Sequence, residues 1–312
     1  MNKRIAILGA TSHIAKGIIY NCMQDKKYDL FLFARSLEPV RNFLKSIGYK
    51  KDIRFMDFKQ LGKVEYDVIL NCIGIGHTAA PKNEIVSIFR LIETFDNLVL
   101  DYLKDRPSTL YINFSSGAVY GIDFSSPIDE TCCTTLNINH IAPSHYYGIA
   151  KINSEAKHRA LGNYKIVDLR IFAYFSRFID LKSNYFITEV IRCVRDKKDF
   201  ITGPENMIRD YVCPQDLFIL LEKCIEAQKL NDFFDVYSSK PVTKFEILDY
   251  FTKEYGLKYI IQDSRSVSSM TGNKDNYYSI SKKAQEIGYS PHFSSVDCII
   301  EESKSLLQNT HL

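Results

Sequence analysis

Short apolar runs, each bounded by small or polar residues, recur through the first half of the chain. The pattern predicts strands at Arg4 to Leu8, Tyr28 to Phe33, Ile53 to Asp57, Asp67 to Cys72, Leu110 to Phe114 and Ile166 to Ile171. Between them the apolar residues recur at helical spacing, in one stretch running to Met23 and in a long amphipathic one over residues 84–105. Strands buried on both faces read as continuous apolar runs, and strands alternating with helices build a parallel, doubly wound sheet. The fold class expected is therefore α/β, a Rossmann-type sheet with ligands at the carboxyl ends of its strands. After Ile171 the alternation gives way to an aromatic stretch, Phe172 to Phe178, more in keeping with core than with a base-stacking surface. A helical run from Tyr185 to Val194 follows, then a mixture of strand and helix with a polar tail. Residues 1–171 are expected to form the main part of the sheet domain, and residues 172–312 mostly a smaller lobe interleaved with its end.

The strand ends carry the candidate chemistry. Leu8 leads into Gly9-Ala10-Thr11-Ser12-His13-Ile14-Ala15, and a strand, a tight turn and a helix are where a dinucleotide pyrophosphate rests on backbone amides. Ser12 and Ala15 hold the places of two further glycines; both are small enough for close approach. The second strand ends in Ala34-Arg35-Ser36, without the carboxylate that would hold the ribose 2′-hydroxyl of NAD. A guanidinium and a hydroxyl there suit a 2′-phosphate, so NADP is expected ahead of NAD. Asp57 stands at the third strand tip, able to accept from an adenine amino group. The candidate cofactor contacts are thus Gly9, Thr11, Ser12, His13, Ile14, Arg35, Ser36, Asp57 and Phe58, then Cys72, Ile73 and Gly74 beyond the fourth strand.

The fifth strand delivers Ser115 and Ser116 to the same edge. Further on, Tyr147 and Lys151 stand four residues apart, which on a helix puts them on one face a turn apart. A phenol titrates near ~10, so a neighbouring ammonium is what would bring it toward working pH as an acid or base.

Composition narrows the rest. At 312 residues, with 46% apolar and 25% charged content, the chain reads as an ordinary globular protein. A net charge of +3 spread along the sequence offers no footprint for nucleic acid. No apolar run approaches a membrane span, and the chain shows no internal repeat and no leader-like N-terminus. Eight cysteines, with Cys132 and Cys133 adjacent and no CxxC spacing, argue against a disulfide framework or a zinc site. No metal is expected, and reduced thiols point to the cytoplasm. His13, His77 and His145 sit in loops near the candidate site, without a carboxylate close in sequence to make any of them a catalyst.

Taken in order, Gly9-Ala10-Thr11, the run Ser115 to Gly121, Tyr147-Gly148-Ile149-Ala150-Lys151, Leu169 to Phe172 and Arg209-Asp210-Tyr211-Val212 resemble the extended short-chain dehydrogenases/reductases. More narrowly they resemble the NAD(P)-dependent epimerase/dehydratase group acting on nucleotide sugars. The resemblance runs from Ile5 to about Pro291. It implies that Tyr147 is the general acid/base, that Lys151 lowers its pKa and holds the nicotinamide ribose, and that Ser116 bonds the reacting oxygen. Arg209 would face the substrate diphosphate, with His77, Ser116 and Gly117 as the other candidate substrate contacts. The resemblance also implies a homodimer built on the Tyr147 helix and its neighbour.

Departures refine the expectation. Sugar 4,6-dehydratases place an Asp-Glu pair after the catalytic hydroxyl residue, where this chain has Gly117-Ala118; no Cys stands there for epimerisation beside a ketone. An Asn common after the sixth strand is Ala173, which leaves contacts at that point open. The activity expected is NADPH-dependent reduction of a keto group on a nucleotide sugar, a 4-keto-6-deoxy sugar in particular. A 4-epimerase with tightly held NAD is the alternative, and a non-catalytic dinucleotide sensor is a further one.

Overall fold

The computed structural model describes residues 2–24, 27–49, 54–74, 87–227, 230–262 and 275–308. Strands β1 (Lys3–Leu8), β2 (Tyr28–Phe33), β3 (Arg54–Met56), β4 (Val68–Asn71), β5 (Leu110–Ser116) and β6 (Lys165–Ile171) all join one parallel sheet. Helices α1 (His13–Gln24), α2 (Leu37–Ser46), α3 (Ile88–Asp105) and α4 (Pro143–Ala160) connect them. The apolar runs are strands because each is buried on both faces: all seven residues of β5 and all four of β4 are buried. In α3 the buried residues Ile88, Ile92, Asp96, Val99 and Leu103 recur every third or fourth position, the stripe that packs on the sheet.

β6 is not the edge of the sheet, and the apolar pattern does not mark the strand beyond it. A seventh strand pairs with it in parallel, giving the order β11-β6-β5-β4-β1-β2-β3, where β11 is Asn231–Val236. That segment carries Asp232 and Asp235, so it lacks a continuous apolar run. Asp235 accepts from Tyr120 and Ser279 and Asp232 from Lys283, which satisfies both carboxylates inside the fold.

Among the described residues, the remaining elements are short strands, short helical turns and four helices. β7 (Ala173–Tyr174) pairs with β10 (Tyr211–Val212), and β8 (Phe200–Thr202) with β13 (Tyr259–Ile261). β9 (Ile208–Arg209) lies between β12 (Val242–Thr243) and β14 (Asn276–Tyr277). The helices are α5 (Phe186–Asp196), α6 (Pro214–Glu226), α7 (Lys244–Tyr255) and α8 (Ser295–Leu307). An apolar cluster of their own, including Phe175, Val190, Ile191, Leu248, Phe251 and Cys298, binds α5, α7 and α8 together. The aromatic stretch is core, with Phe172, Tyr174 and Phe175 all buried.

Register decides where chemistry can gather. Leu8 pairs with Asn71, Asn71 with Asn113 and Asn113 with Asp168, so these strands run level across the sheet. Gly9, Cys72 and Ser116 therefore emerge at one rim. The strand order reverses at β1, and the crevice beside such a switch point is where open α/β sheets bind ligands.

Candidate active site

Gly9 adopts φ +77, open to glycine at no cost, and a Cβ there would lie 3.0–3.1 Å from Ile73 and the Cys72 carbonyl. The chain passes directly into α1, whose first turn holds no carboxylate. Ser12 accepts from the Ala15 N–H at 3.3 Å and so caps the helix, while Thr11 remains exposed. His13 is the first residue of α1 rather than a loop residue. Its ring stands edge-on to Tyr174 at 4.8 Å and bonds the Ser176 backbone, and burial lowers its pKa to about 3, so it is neutral. Its Nε2 is buried with no partner among the described residues. Ile14 packs against the core as a partly buried residue.

Arg35 and Ser36 are exposed at the end of β2, and Ser36 precedes α2 without a side-chain capping bond. Asp57 spends one oxygen on the Lys59 N–H at 2.8 Å, capping the short helical turn Phe58–Lys63. The Phe58 ring lies 4.7 Å from Phe95. Cys72 is buried and its thiol is pushed up by that burial; the Ile73 N–H is held by Asn71 at 3.2 Å. A Cβ on Gly74 would meet open space. A positive-φ glycine turn, a helix start without acid and a strand tip carrying Arg35 fit a dinucleotide, whose pyrophosphate would face Gly9 to Ile14 and whose ribose would face Arg35 and Ser36.

Helix α4 begins at Pro143, and His145 Nδ1 accepts the Ala142 N–H at 3.0 Å to close its first turn. Its inward face is made of Gly148, Ala150, Lys151, Ser154, Glu155 and His158, more polar than apolar. Gly148 allows close approach, since a Cβ there would lie 2.5 Å from the Ala118 carbonyl oxygen. This approach brings Tyr147 to Ser116, whose hydroxyls share a hydrogen bond. Lys151 is 2% exposed, donates to the Phe114 carbonyl at 2.6 Å and stands 5.9 Å from the Tyr147 ring centre. Burial lowers its pKa, while Asp168, Asp96 and Glu155 favour its charge.

The three residues picked from sequence thus converge, with one correction to their electrostatics. The Tyr147 phenol is raised, not lowered, because burial outweighs the hydrogen bond from Ser116. In this arrangement the Lys151 ammonium is engaged by a backbone carbonyl beneath it.

Two neighbours complete the surroundings. A Cβ on Gly117 would lie 2.5 Å from the Phe172 ring, so no side chain fits where dehydratases carry an acid. Tyr277, in β14, was not among the candidates from sequence. Its hydroxyl lies 3.3 Å from Ser116 Oγ, and its ring is held edge-on by Phe124 at 4.6 Å and Phe172 at 5.3 Å. Nothing in its local sequence marks it, because β14 is two residues long. Arg209 pairs with Tyr277 across β9 and β14; its guanidinium stands 5.9 Å from that ring and donates to the Ile208 carbonyl at 2.8 Å. His77 lies outside the described residues. Among the described residues no group of acids, histidines and cysteines could hold a metal ion, and no helix is long and apolar enough to cross a membrane.

A family model for the NAD dependent epimerase/dehydratase family matches residues 5–237. No curated protein matches the chain in sequence. Among solved structures, a point mutant of UDP-glucuronic acid 4-epimerase from Bacillus cereus, in complex with UDP-4-deoxy-4-fluoro-glucuronic acid and NAD, superposes with a TM-score of 0.80. The two share 16% identity over 98% of this chain and 99% of that one. A UDP-glucose-4-epimerase from Stenotrophomonas maltophila, with bound NAD and formylated UDP-arabinopyranose, gives 0.79 at 13% identity, covering 99% of this chain and 100% of the other. A dTDP-glucose 4,6-dehydratase from Bacillus anthracis in complex with NAD gives 0.76 at 14%, covering 98% and 97%. At such identities the likeness is one of fold.

Proposed function

The chain belongs to the NAD dependent epimerase/dehydratase family, and from that premise we propose that it is an NAD-dependent 4-epimerase of a nucleotide-activated sugar. The observation that carries this reading is the meeting of Ser116, Tyr147 and Lys151 at the rim that also holds the Gly9 turn. A bound nicotinamide dinucleotide would take a hydride from the sugar carbon and return it, its positive ring favouring the phenolate of the nearby tyrosine. Tyr147 would accept the proton of the reacting hydroxyl and give it back to the same oxygen once the keto sugar has turned its opposite face to the returning hydride. Ser116 would hold the same oxygen, and Lys151 would bind the nicotinamide ribose. Inversion at a carbon oxidised and reduced in turn requires no further base, in keeping with Gly117 closed off by Phe172. Several fold neighbours carry NAD and UDP-sugars, which supports NAD over the NADP expected from Arg35. α3 and α4, which pack on each other, would supply the four-helix contact of a homodimer.

Denaturing the purified protein should release NAD in near-equal amount. Incubation with UDP-glucose, UDP-glucuronic acid or UDP-N-acetylglucosamine should yield the 4-inverted sugar without net change in nicotinamide absorbance. A protein that purifies without dinucleotide and consumes NADPH on a nucleotide-linked 4-keto-6-deoxy sugar is instead a reductase. One observation favours that second reading: exposed Arg35 at the β2 tip, with no acid beside it in sequence. Under it, Arg35→Ala should weaken NADPH about tenfold and NADH hardly at all, measured by fluorescence titration; equal loss for both removes the case for NADP.

A further inference from the structure

A series of buried hydrogen bonds runs beneath the rim, on the sheet face that α3 and α4 cover. Asn71 of β4, Asn113 of β5 and Asp168 of β6 stand in register on that face, and Tyr111 lies two residues behind Asn113. Asp96 reaches it from α3 and His158 from α4. None of these six residues is more than 4% exposed. His158 Nε2 donates to Asp96 Oδ1 at 2.7 Å, and the Tyr111 hydroxyl donates to the same oxygen at 3.0 Å. Asn71 Nδ2 donates to the Tyr111 hydroxyl at 3.0 Å, and Asn71 Oδ1 accepts the Ile73 N–H at 3.2 Å.

The direction of the series is set at its acidic end. Burial alone would raise the Asp96 carboxyl, but bonds from His158 and Lys157 and their charges hold it below the ordinary range. Asp96 is therefore a carboxylate, which can only accept. Burial pushes the Tyr111 phenol well above its ordinary value, so it keeps its one proton and gives it to Asp96. The Tyr111 oxygen is left to accept, and the donor it meets is Asn71 Nδ2. An amide carries its donors at one end and its acceptor at the other. With Nδ2 turned to Tyr111, Oδ1 faces Ile73; the reversed amide would set donor against donor.

Ile73 lies where the cofactor half is most crowded. Cys72 still bonds back to β1, through its N–H to the Leu8 carbonyl at 3.0 Å, and Ile73 follows it. A Cβ on Gly9 would lie 3.0 Å from Ile73 Cγ1 and 3.1 Å from the Cys72 carbonyl. The backbone that Asn71 fixes is thus the wall behind the Gly9 turn.

We infer that Tyr111 is a positioning residue for the dinucleotide: it orients the Asn71 amide, which holds Ile73 and with it the wall of the Gly9 turn. Tyr111 is fully buried and acts only through Asn71. This rests on a dinucleotide lying at the Gly9 turn, as proposed above, and is indifferent to which sugar is turned over and to NAD or NADP.

The full-length protein, freed of bound dinucleotide and shown to be folded by circular dichroism, is titrated with NAD and with NADPH by fluorescence, well below its melting temperature. Tyr111→Phe keeps the ring and removes only the hydroxyl; it should raise the dissociation constant about fivefold, the scale of one neutral hydrogen bond. In an Asn71→Ala background, adding Tyr111→Phe should raise it no further. A role confined to stability would lower the melting temperature and leave the constant where it was. An unchanged constant in folded Tyr111→Phe, or a second rise of full size in the Asn71→Ala background, overturns the role of Tyr111 while the reaction reading stands. Hydrogen exchange on the unaltered protein, followed by NMR, decides the matter even where Tyr111→Phe fails to fold. The Ile73 N–H and the Asn71 side-chain amide should each exchange about tenfold more slowly than in an unstructured peptide; the unstructured rate at either overturns the role. If the unaltered protein binds neither dinucleotide, the reaction reading falls and the role of Tyr111 with it.

Discussion

Helix α4 presents two clusters, one partly buried and one buried, on either side of Lys151. On the side toward its N-terminus, Tyr147 meets Ser116 and Tyr277, three neutral hydroxyls whose protons can be arranged in more than one way. On the other side, Glu155 and His158 enter a network of charges. His158 gives Nε2 to Asp96 at 2.7 Å and Nδ1 to Asp168 at 2.9 Å, so both ring nitrogens carry protons. Lys157 reaches Asp96 at 2.6 Å and Arg159 reaches Asp168 at 2.9 Å. Glu155 binds Arg170 and the Ser115 hydroxyl, both at 2.5 Å.

Both clusters are largely withdrawn from water, yet they suit opposite tasks. Each carboxylate of the second is committed to cations and donors from α4, β5 or β6, which locks the helix onto the sheet. Groups so paired have little to exchange with a substrate. The first cluster holds no carboxylate, and a proton can shift along it without stranding a charge. Burial alone therefore does not mark the reactive place; an uncommitted proton does.

The largest expected effect lies in the hydroxyl cluster. Tyr147→Phe should lower turnover by ~10²–10⁴-fold while dinucleotide affinity, followed by fluorescence, stays near that of the unaltered protein. Substantial remaining activity would move the proton donor elsewhere. In the charged cluster the effect should fall on stability: Glu155→Ala takes from Arg170 its bidentate carboxylate, a loss of about 3–5 kcal/mol readable as a lower melting temperature. A near-neutral result would mean that the bond of Arg170 to Tyr120 and its ion pair with Asp235 suffice to hold its charge.

The smallest and most specific effect is pH dependence. Burial disfavours the charge of His158, but its bonds to Asp168 and Asp96 and their charges outweigh it and raise its pKa to about 9, above the ordinary 6.5. A raised folded-state pKa makes this contribution complete below about 6.5 and progressively lost as pH rises through about 9, on the order of 3 kcal/mol in all. His158→Gln should flatten stability between those limits in denaturant titrations at stepped pH. An unchanged slope would show that the charge is compensated in the unfolded chain as well.

Much of this could be read before folding. β1, β4 and β5 were legible because strands covered on both faces leave unbroken apolar runs, and the Gly9 turn followed from their ends. The Tyr147–Lys151 pair was legible because helical spacing aligns it and because it follows the Ser115-Ser116-Gly117 strand end and the Gly9 turn. β11 was not, since Asp232 and Asp235 interrupt its pattern and find partners in Tyr120, Ser279 and Lys283 from elsewhere in the chain. The inward face of α4 was also hidden, because its lysine, glutamate and histidine look like a solvated surface until their partners arrive.

Sequence alone determined the α/β class and the order of the motifs, and their resemblance to a known family brought Ser116, Tyr147 and Lys151 forward as candidates. Periodicity and spacing act over a few residues, and each strand and each motif is written within such a span. Tertiary structure decided that Tyr277 meets Ser116, that Phe172 closes the space over Gly117, and that His158 lies charged between two aspartates. Those contacts join segments far apart in the chain, and only the packing of one element on another brings them within bonding distance.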